Sequence, residues 1–319
     1  MSLPQSYPVL VHNYLPSANA DPTRPLQTYE HLPSLNPEQK PENALVFLCG
    51  LGDGPHSIPY VRRLAEHLAV TAPGWSVFEA RLGSNFSAFG YGSLAEDVRE
   101  VRRTGCQDCL EYAKVLVAER RRGTGRGGVE GAATEEEEEE EEGGEDEEVV
   151  RVDGYVLQGP VSDREAIAMA EDAREVAAAI REAEEMRRQG RGSEVMPVNV
   201  LPKGWRGSPV SAYRWWSLAA VGGDDDYFSS DLPESRLAEI WGNLDVPVLI
   251  MPSGKEEWVP ASLNVPAMVE RWKSFAKPGI VSELSGLIPG ANHRVDNDEG
   301  REWLIDRVAR FLHEVEGRT

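Results

Sequence analysis

Apolar residues along the chain gather into short continuous runs, and the segments between them carry apolar positions at helical spacing. That is the pattern of strands buried on both faces and covered by helices. The clearest runs are Ala44-Leu-Val-Phe-Leu-Cys49 and Val246-Pro-Val-Leu-Ile-Met251. Tyr7 to Tyr14 alternates as an opening strand, Trp75 to Glu79 and Val152 to Gln158 read as two more, and Val281 to Ile288 as another. Helical spacing is predicted from Ile58 to Leu68, from Ser93 through Val101, from Thr104 to Val117, from Arg164 to Gln189 and from Glu299 to Val315. Ser93 with Glu96 forms a capping box, Asp163 is placed to cap the helix after it, and Asp296 and Asp298 are placed to cap the last one. Pro16 to Asn43 is proline-rich and polar, a loop with room for one edge strand. Strand and helix in alternation predict an α/β architecture, a mostly parallel sheet with helices on both faces. The alternation breaks once: around Arg102 one helix pattern runs into the next, so one central strand is missing.

Composition narrows the class. The 319 residues suit one α/β domain spanning 1–319. Of the net charge of −21, thirteen acids without a base lie between Glu130 and Glu148, including an unbroken glutamate run from Glu135 to Glu142. Like-charge repulsion and the lack of apolar residues predict a disordered acidic insertion over 119–150, either a solvated loop or a docking tail for a basic protein partner. Three cysteines make no disulfide framework, and Cys106-x-x-Cys109 inside a helical pattern reads as two helix positions, so no metal and no cofactor are expected. Without a signal-like leader or an apolar run near the ~20 residues of a membrane span, a cytoplasmic protein is expected, with neither membrane nor nucleic acid as partner.

Candidate chemistry sits at strand ends. The run to Met251 passes through Ser253-Gly-Lys255 to Glu256, at the carboxyl end of a strand, where open α/β sheets place their reactive groups. Glu257 competes for the role, but an acid followed by two residues and Val259-Pro260 favours Glu256. His293 follows the Val281 to Ile288 run in Pro-Gly-Ala-Asn-His, and acid then histidine late in the chain is the α/β-hydrolase order. Upstream, Gly50, Leu51, Gly52, Asp53 and Gly54 form a glycine-rich turn after a strand, offering bare backbone N–H groups for an oxyanion hole. The spacing fits neither nucleotide-binding fingerprint. The order demands a nucleophile on a sharp strand-to-helix turn, yet Gly-x-Ser-x-Gly occurs nowhere in the chain. The Ser93 hydroxyl is accounted for by capping, and Arg103 is permanently protonated.

Leu48-Cys-Gly-Leu-Gly-Asp-Gly54, Ser93-Leu-Ala-Glu-Asp-Val98, Thr104-Gly-Cys-Gln107, Val152 to Arg164, Ser253-Gly-Lys-Glu-Glu-Trp-Val-Pro260 and Gly290-Ala-Asn-His293 together resemble the fungal fusarinine C esterase (siderophore esterase) family of α/β hydrolases. The resemblance covers about residues 8 to 315, with the acidic segment as an insertion. It implies catalytic roles for Glu256 and His293, a helical lid over 164–230, and a small-molecule ester substrate such as a ferric siderophore. It also implies a Gly-His-Ser-Thr-Gly elbow, of which Thr104 and Gly105, followed by Cys106, are the remnant. Arg103 stands where the serine belongs, and about 25 to 30 residues are missing before it. In the lid, Trp205, Tyr213, Trp215 and Trp216 could stack on a substrate or pack the lid on the body.

The chain therefore reads as a serine-esterase-type hydrolase that lacks its nucleophile, either the incomplete product of a working esterase gene or a binding protein on the same fold. Deleting Gly123 to Gly144 is expected to leave the melting temperature nearly unchanged, because a solvated loop buries little and loop length costs little entropy. A thermal melt of the deletion variant checks this; a loss of several degrees contradicts it.

Overall fold

The computed structural model describes residues 7–14, 26–31, 43–103 and 152–318. Thr104, Gly105, Cys106, Cys109 and the acidic segment lie outside them. Strands β1 (Val9–Tyr14), β2 (Leu26–His31), β3 (Asn43–Phe47) and β4 (Trp75–Arg81) form one sheet in the order β1-β2-β4-β3. The β1-β2 and β2-β4 pairs are antiparallel, and β3 runs parallel to β4. A second sheet pairs β5 (Tyr155–Gln158) in parallel with β6 (Val248–Met251). The run from Val281 to Ile288, expected as a strand, forms no continuous ladder: it makes isolated parallel bridges, Val281 to Val248 in β6 and Ile288 to Ser253 beyond it. The Ser282 and Gly286 N–H groups still bond to Val248 O and Ile250 O, but the Ile250 N–H goes to the Ser285 hydroxyl, so a side chain replaces one ladder bond.

Alternate residues of these strands feed two apolar cores. On one face Val46, Leu157, Val248 and Ile250 pack under α2 (Leu94–Arg103), α6 (Glu234–Trp241) and α7 (Val265–Phe275), where Trp241 and Trp272 stack at 5.2 Å. On the other, Phe47, Val77, Val156, Leu249 and Met251 lie under α1 (Pro59–Thr71) and α8 (Asp298–Glu316). Both cores draw residues from both sheets, yet no strand among the described residues joins β3 to β5. Among the described residues the three-layer α/β arrangement is thus continuous in its packing and interrupted in its hydrogen bonding.

A third apolar cluster gathers α3 (Asp163–Ala170), α4 (Ala173–Arg188) and α5 (Ala212–Ala219). The single helix expected from Arg164 to Gln189 is in fact two, because Asp172 accepts from the N–H groups of Arg174 and Glu175 and so starts a new helix. Asp163 is not the first cap either; the Ser162 hydroxyl accepts the Glu165 N–H, and Asp163 is the first helical residue. Asp296 and Asp298 also fail as caps, since Asn297 holds that position and makes no side-chain cap bond. Of the four aromatics, Trp215 is fully buried with Trp205 edge-on at 5.0 Å, Trp216 lies under Arg187, and Tyr213 bonds to Asp224, so all four have packing or hydrogen-bonding partners. No helix among the described residues is long and apolar enough to cross a membrane.

The turn after β6 is set by close backbone approach. A Cβ on Gly254 would stand 2.6 Å from the Ile288 carbonyl oxygen, so the residue opening this turn has no room for a side chain. Gly254→Ala is expected to cost about 1–3 kcal/mol by overpacking against backbone. Urea denaturation of the variant measures it, and an unchanged midpoint would contradict the expectation.

Candidate active site

Two backbone bonds tie the turn after β6 to the loop before α8: Gly254 N–H to Ile288 O at 3.0 Å and Lys255 N–H to Ala291 O at 2.8 Å. They bring together two residues from separate loops. Glu256 Oε2 lies 2.9 Å from His293 Nδ1, its side chain 3% exposed and the imidazole 32%. Glu257 takes a different part, accepting the His293 backbone N–H at 2.8 Å, so one carboxylate holds the ring and its neighbour holds the loop. The Glu256 carboxylate also accepts the Trp258 N–H at 3.2 Å. A carboxylate at Nδ1 fixes the tautomer that leaves Nε2 as an acceptor, the state a general base needs.

Residues beside β5 complete the support. Gln158 donates through Nε2 to the His293 carbonyl at 3.0 Å and accepts the Tyr60 hydroxyl at 3.0 Å. Gly159 has a φ of +59°, and a Cβ there would stand 3.2 Å from His293 Nδ1 and Cε1. A left-handed backbone and the closeness of the ring both call for glycine. Burial by itself pulls the His293 pKa down, but the Glu256 hydrogen bond and the charges of Glu256, Glu257 and Asp163 outweigh it and hold the imidazole above its ordinary value. Asp163 in turn is pushed up to about 6, by burial first and then by Asp225.

The glycine-rich turn splits into used and unused donors. The Asp53 N–H bonds to Gly50 O at 3.0 Å and the Gly54 N–H to the Ser57 hydroxyl at 3.3 Å, which takes those two out of an oxyanion hole. The N–H groups of Leu51 and Gly52 make no hydrogen bond among the described residues. The Asp53 side chain has a different part: Arg294 Nη1 meets its two carboxylate oxygens at 2.9 and 3.2 Å, and Nη2 donates to Ser57 O at 2.5 Å. Arg294 therefore clamps the glycine turn to the loop carrying His293.

No hydroxyl or thiol of the described residues hydrogen-bonds to His293. Ser93 is engaged as the helix cap, accepting the Glu96 N–H at 3.2 Å. Cys49, beside the glycine turn, has its thiol pushed up to about 12, by burial first and then by Glu79 and Asp53, so it stays protonated and a poor nucleophile. Gln158, Gly159 and Arg294 are supports that sequence reading missed; only the Gln-Gly-Pro stop after a strand hinted at the first two.

A three-layer α/β body with an acid–histidine pair at strand ends defines the α/β-hydrolase class, and solved structures share that fold. Siderophore hydrolase EstB from Aspergillus fumigatus superposes with a TM-score of 0.64 at 25% identity, covering 97% of this chain and 98% of that one. An α/β-hydrolase fold protein of unknown function superposes at 0.60 with 15% identity, covering 99% of each. The chain belongs to the family described as Protein of unknown function (DUF1749), which matches residues 1–313. It is 28% identical to Fusarinine C esterase sidJ of Aspergillus fumigatus over 96% of this chain and 95% of that protein, and 28% identical to Esterase AN6793 of Emericella nidulans over 86% and 87%. The resemblance to fungal siderophore esterases, drawn from motifs, thus extends over nearly the whole chain.

Because the folded pKa of His293 is raised, the stability from its pairing is full below the unfolded value of about 6.5 and is lost as pH rises through the folded value. Titrating the His293 ring protons by NMR should give a midpoint above 6.5, and Glu256→Gln should lower it. A midpoint that does not respond to Glu256→Gln would contradict the electrostatic account.

Proposed function

We propose that the chain is a carboxylic-ester hydrolase of the siderophore-esterase type whose catalytic set is incomplete: it holds the acid, the histidine and the oxyanion donors but no nucleophile, and as written it does not turn over esters. The observation that carries this reading is the Glu256–His293 pair at 2.9 Å with no hydroxyl or thiol of the described residues bonded to the ring. In a complete site His293 Nε2 would accept the proton of a serine hydroxyl as its oxygen attacks the ester carbonyl. Glu256 would stabilise the imidazolium so formed, and the N–H groups of Leu51 and Gly52 would receive the developing oxyanion. The relatives named as fusarinine C esterase and siderophore hydrolase support a hydroxamate-bearing ester, such as a ferric siderophore, as the substrate class. The cluster of α3, α4 and α5 takes the part of a lid in this reading. Its attachment supports that role, since Arg214 donates to the Phe89 carbonyl at 3.0 Å and the Ser211 N–H to Gly90 O at 2.7 Å, on the loop that follows β4.

Between an incomplete gene product and a binding protein, the sheet of the described residues favours the former. With no described strand joining β3 to β5, although both feed the same two cores, it fits the loss of a whole segment, whereas a chain retired from catalysis needs only one substitution at the serine. Sequencing the transcript across the codons for Val101 to Gly105 should reveal about 25 to 30 further codons with a Gly-x-Ser-x-Gly elbow. The purified chain should hydrolyse short p-nitrophenyl esters no faster than buffer, with His293→Ala making no difference, since losing the nucleophile costs several orders of magnitude. Turnover that His293→Ala abolishes would overturn the reading.

A further inference from the structure

Behind the glycine-rich turn, three side chains from distant parts of the sequence meet around one carboxylate oxygen. Glu79 Oε1, on β4, lies 2.6 Å from His31 Nε2 at the end of β2 and 3.1 Å from His56 Nδ1 in the loop before α1. The second oxygen, Oε2, is occupied by the His56 backbone N–H at 2.7 Å. Glu79 is fully buried and His31 is 3% exposed, while His56 reaches solvent. A buried carboxylate is costly unless it is paired, hydrogen-bonded or bound to a cation, and among the described residues no lysine or arginine pairs with Glu79; its two charged-partner candidates are imidazoles. The three donor atoms lie within 4.8 Å of one another.

We propose that His31, His56 and Glu79 form a binding site for a divalent transition-metal cation of the zinc class, with His31 binding through Nε2, His56 through Nδ1 and Glu79 through Oε1. Two imidazoles and one carboxylate are a ligand set suited to such an ion. Bonds of about 2.0–2.2 Å at tetrahedral angles place ligand atoms about 3.3 Å apart. The two nitrogens already stand 2.6 and 3.1 Å from the shared oxygen, so each of those contacts needs to open by less than about 1 Å to admit an ion. The cation would supply the charge that the buried carboxylate lacks. Solvent-exposed His56 gives it a way in, and the Tyr7 hydroxyl, 3.2 Å from His56 Nδ1, is the next donor at the open side.

Such an ion would be a clamp. His56 lies two residues beyond Gly54, at a φ of 66° that a non-glycine residue adopts only when its surroundings hold it there. Binding would fasten the end of the glycine-rich turn to β2 and β4, independently of whether any ester is hydrolysed. No ligand spacing announces the site in the sequence, because its members are 23 to 48 residues apart and meet only through the β2-β4 pairing.

The test is titration of the metal-stripped full chain with Zn²⁺ by isothermal calorimetry, with Co²⁺ absorption as a second readout of nitrogen and oxygen ligation. One equivalent of Zn²⁺ should bind and raise the melting temperature, and both effects should reverse with EDTA. His56→Ala, at an exposed position, should weaken binding at least about tenfold, and Glu79→Gln should do the same. Circular dichroism establishes that each variant is folded; if Glu79→Gln fails to fold, His56→Ala decides. No Zn²⁺ uptake by the wild-type chain overturns the proposal. So does uptake undiminished in His56→Ala, which would place the ion on the glutamate run or the Cys106 and Cys109 thiols.

Discussion

The parallel pairing of β5 with β6 is the constraint on which the site depends. Register sets Gln158 beside Met251, and the Gly159 N–H extends the ladder by bonding to Met251 O at 3.0 Å. From that fixed edge the two strand ends deliver different groups to one point: Gln158 and Gly159 to the back of His293, Glu256 to its Nδ1. Four-residue strands suffice because β6 is buried at every position and its side chains divide between both cores. The site is precise where this pairing holds it and depends on long-range clamps elsewhere. Arg294 on Asp53 is the main clamp on the glycine turn, and the cluster at Glu79 is a second hold on the same segment.

How much of this is legible in the sequence follows from how local each cause is. Val246 to Met251 announces itself because a strand buried on both faces needs an unbroken apolar run, and β6 is buried at every position. Ala44 to Cys49 reads the same way, and β3 does form there, but of its residues only Val46 is buried. Glu256 and His293 could be paired in advance because both follow such runs in a known order, and the Val-Pro spacing picks Glu256, the carboxylate that stands at Nδ1, over Glu257, which takes the backbone N–H. Val281 to Ile288 misled because its apolar residues are real core positions at Val281 and Ile288, while the serines between them divert the backbone bonds to side chains. The break at Asp172 was hidden inside a run of good helix formers, where a cap competes with propensity. Arg294 left no signal and Gln158 only the stop that follows its strand, since an arginine or glutamine shows its partner only after folding.

In the function proposed here, the lack of a nucleophile and the gap between β3 and β5 among the described residues have one cause. In an α/β hydrolase the nucleophile rides on a strand inside the sheet, so removing that strand removes the serine and parts the ladder together. Among the described residues β3 and β5 contribute to the same two cores without a strand between them, and no hydroxyl or thiol bonds to His293. Packing and the Arg294–Asp53 clamp hold the acid, the histidine and the glycine turn together through described residues alone.

Under the proposed function, the acid–histidine pair has no nucleophile to activate. Incubating the purified full chain with a fluorophosphonate probe and weighing the intact protein probes this, because the reagent marks any activated serine whether or not the true substrate is known. The intact mass should be unshifted. A stoichiometric adduct that disappears in His293→Ala would reveal a working nucleophile and overturn the proposal.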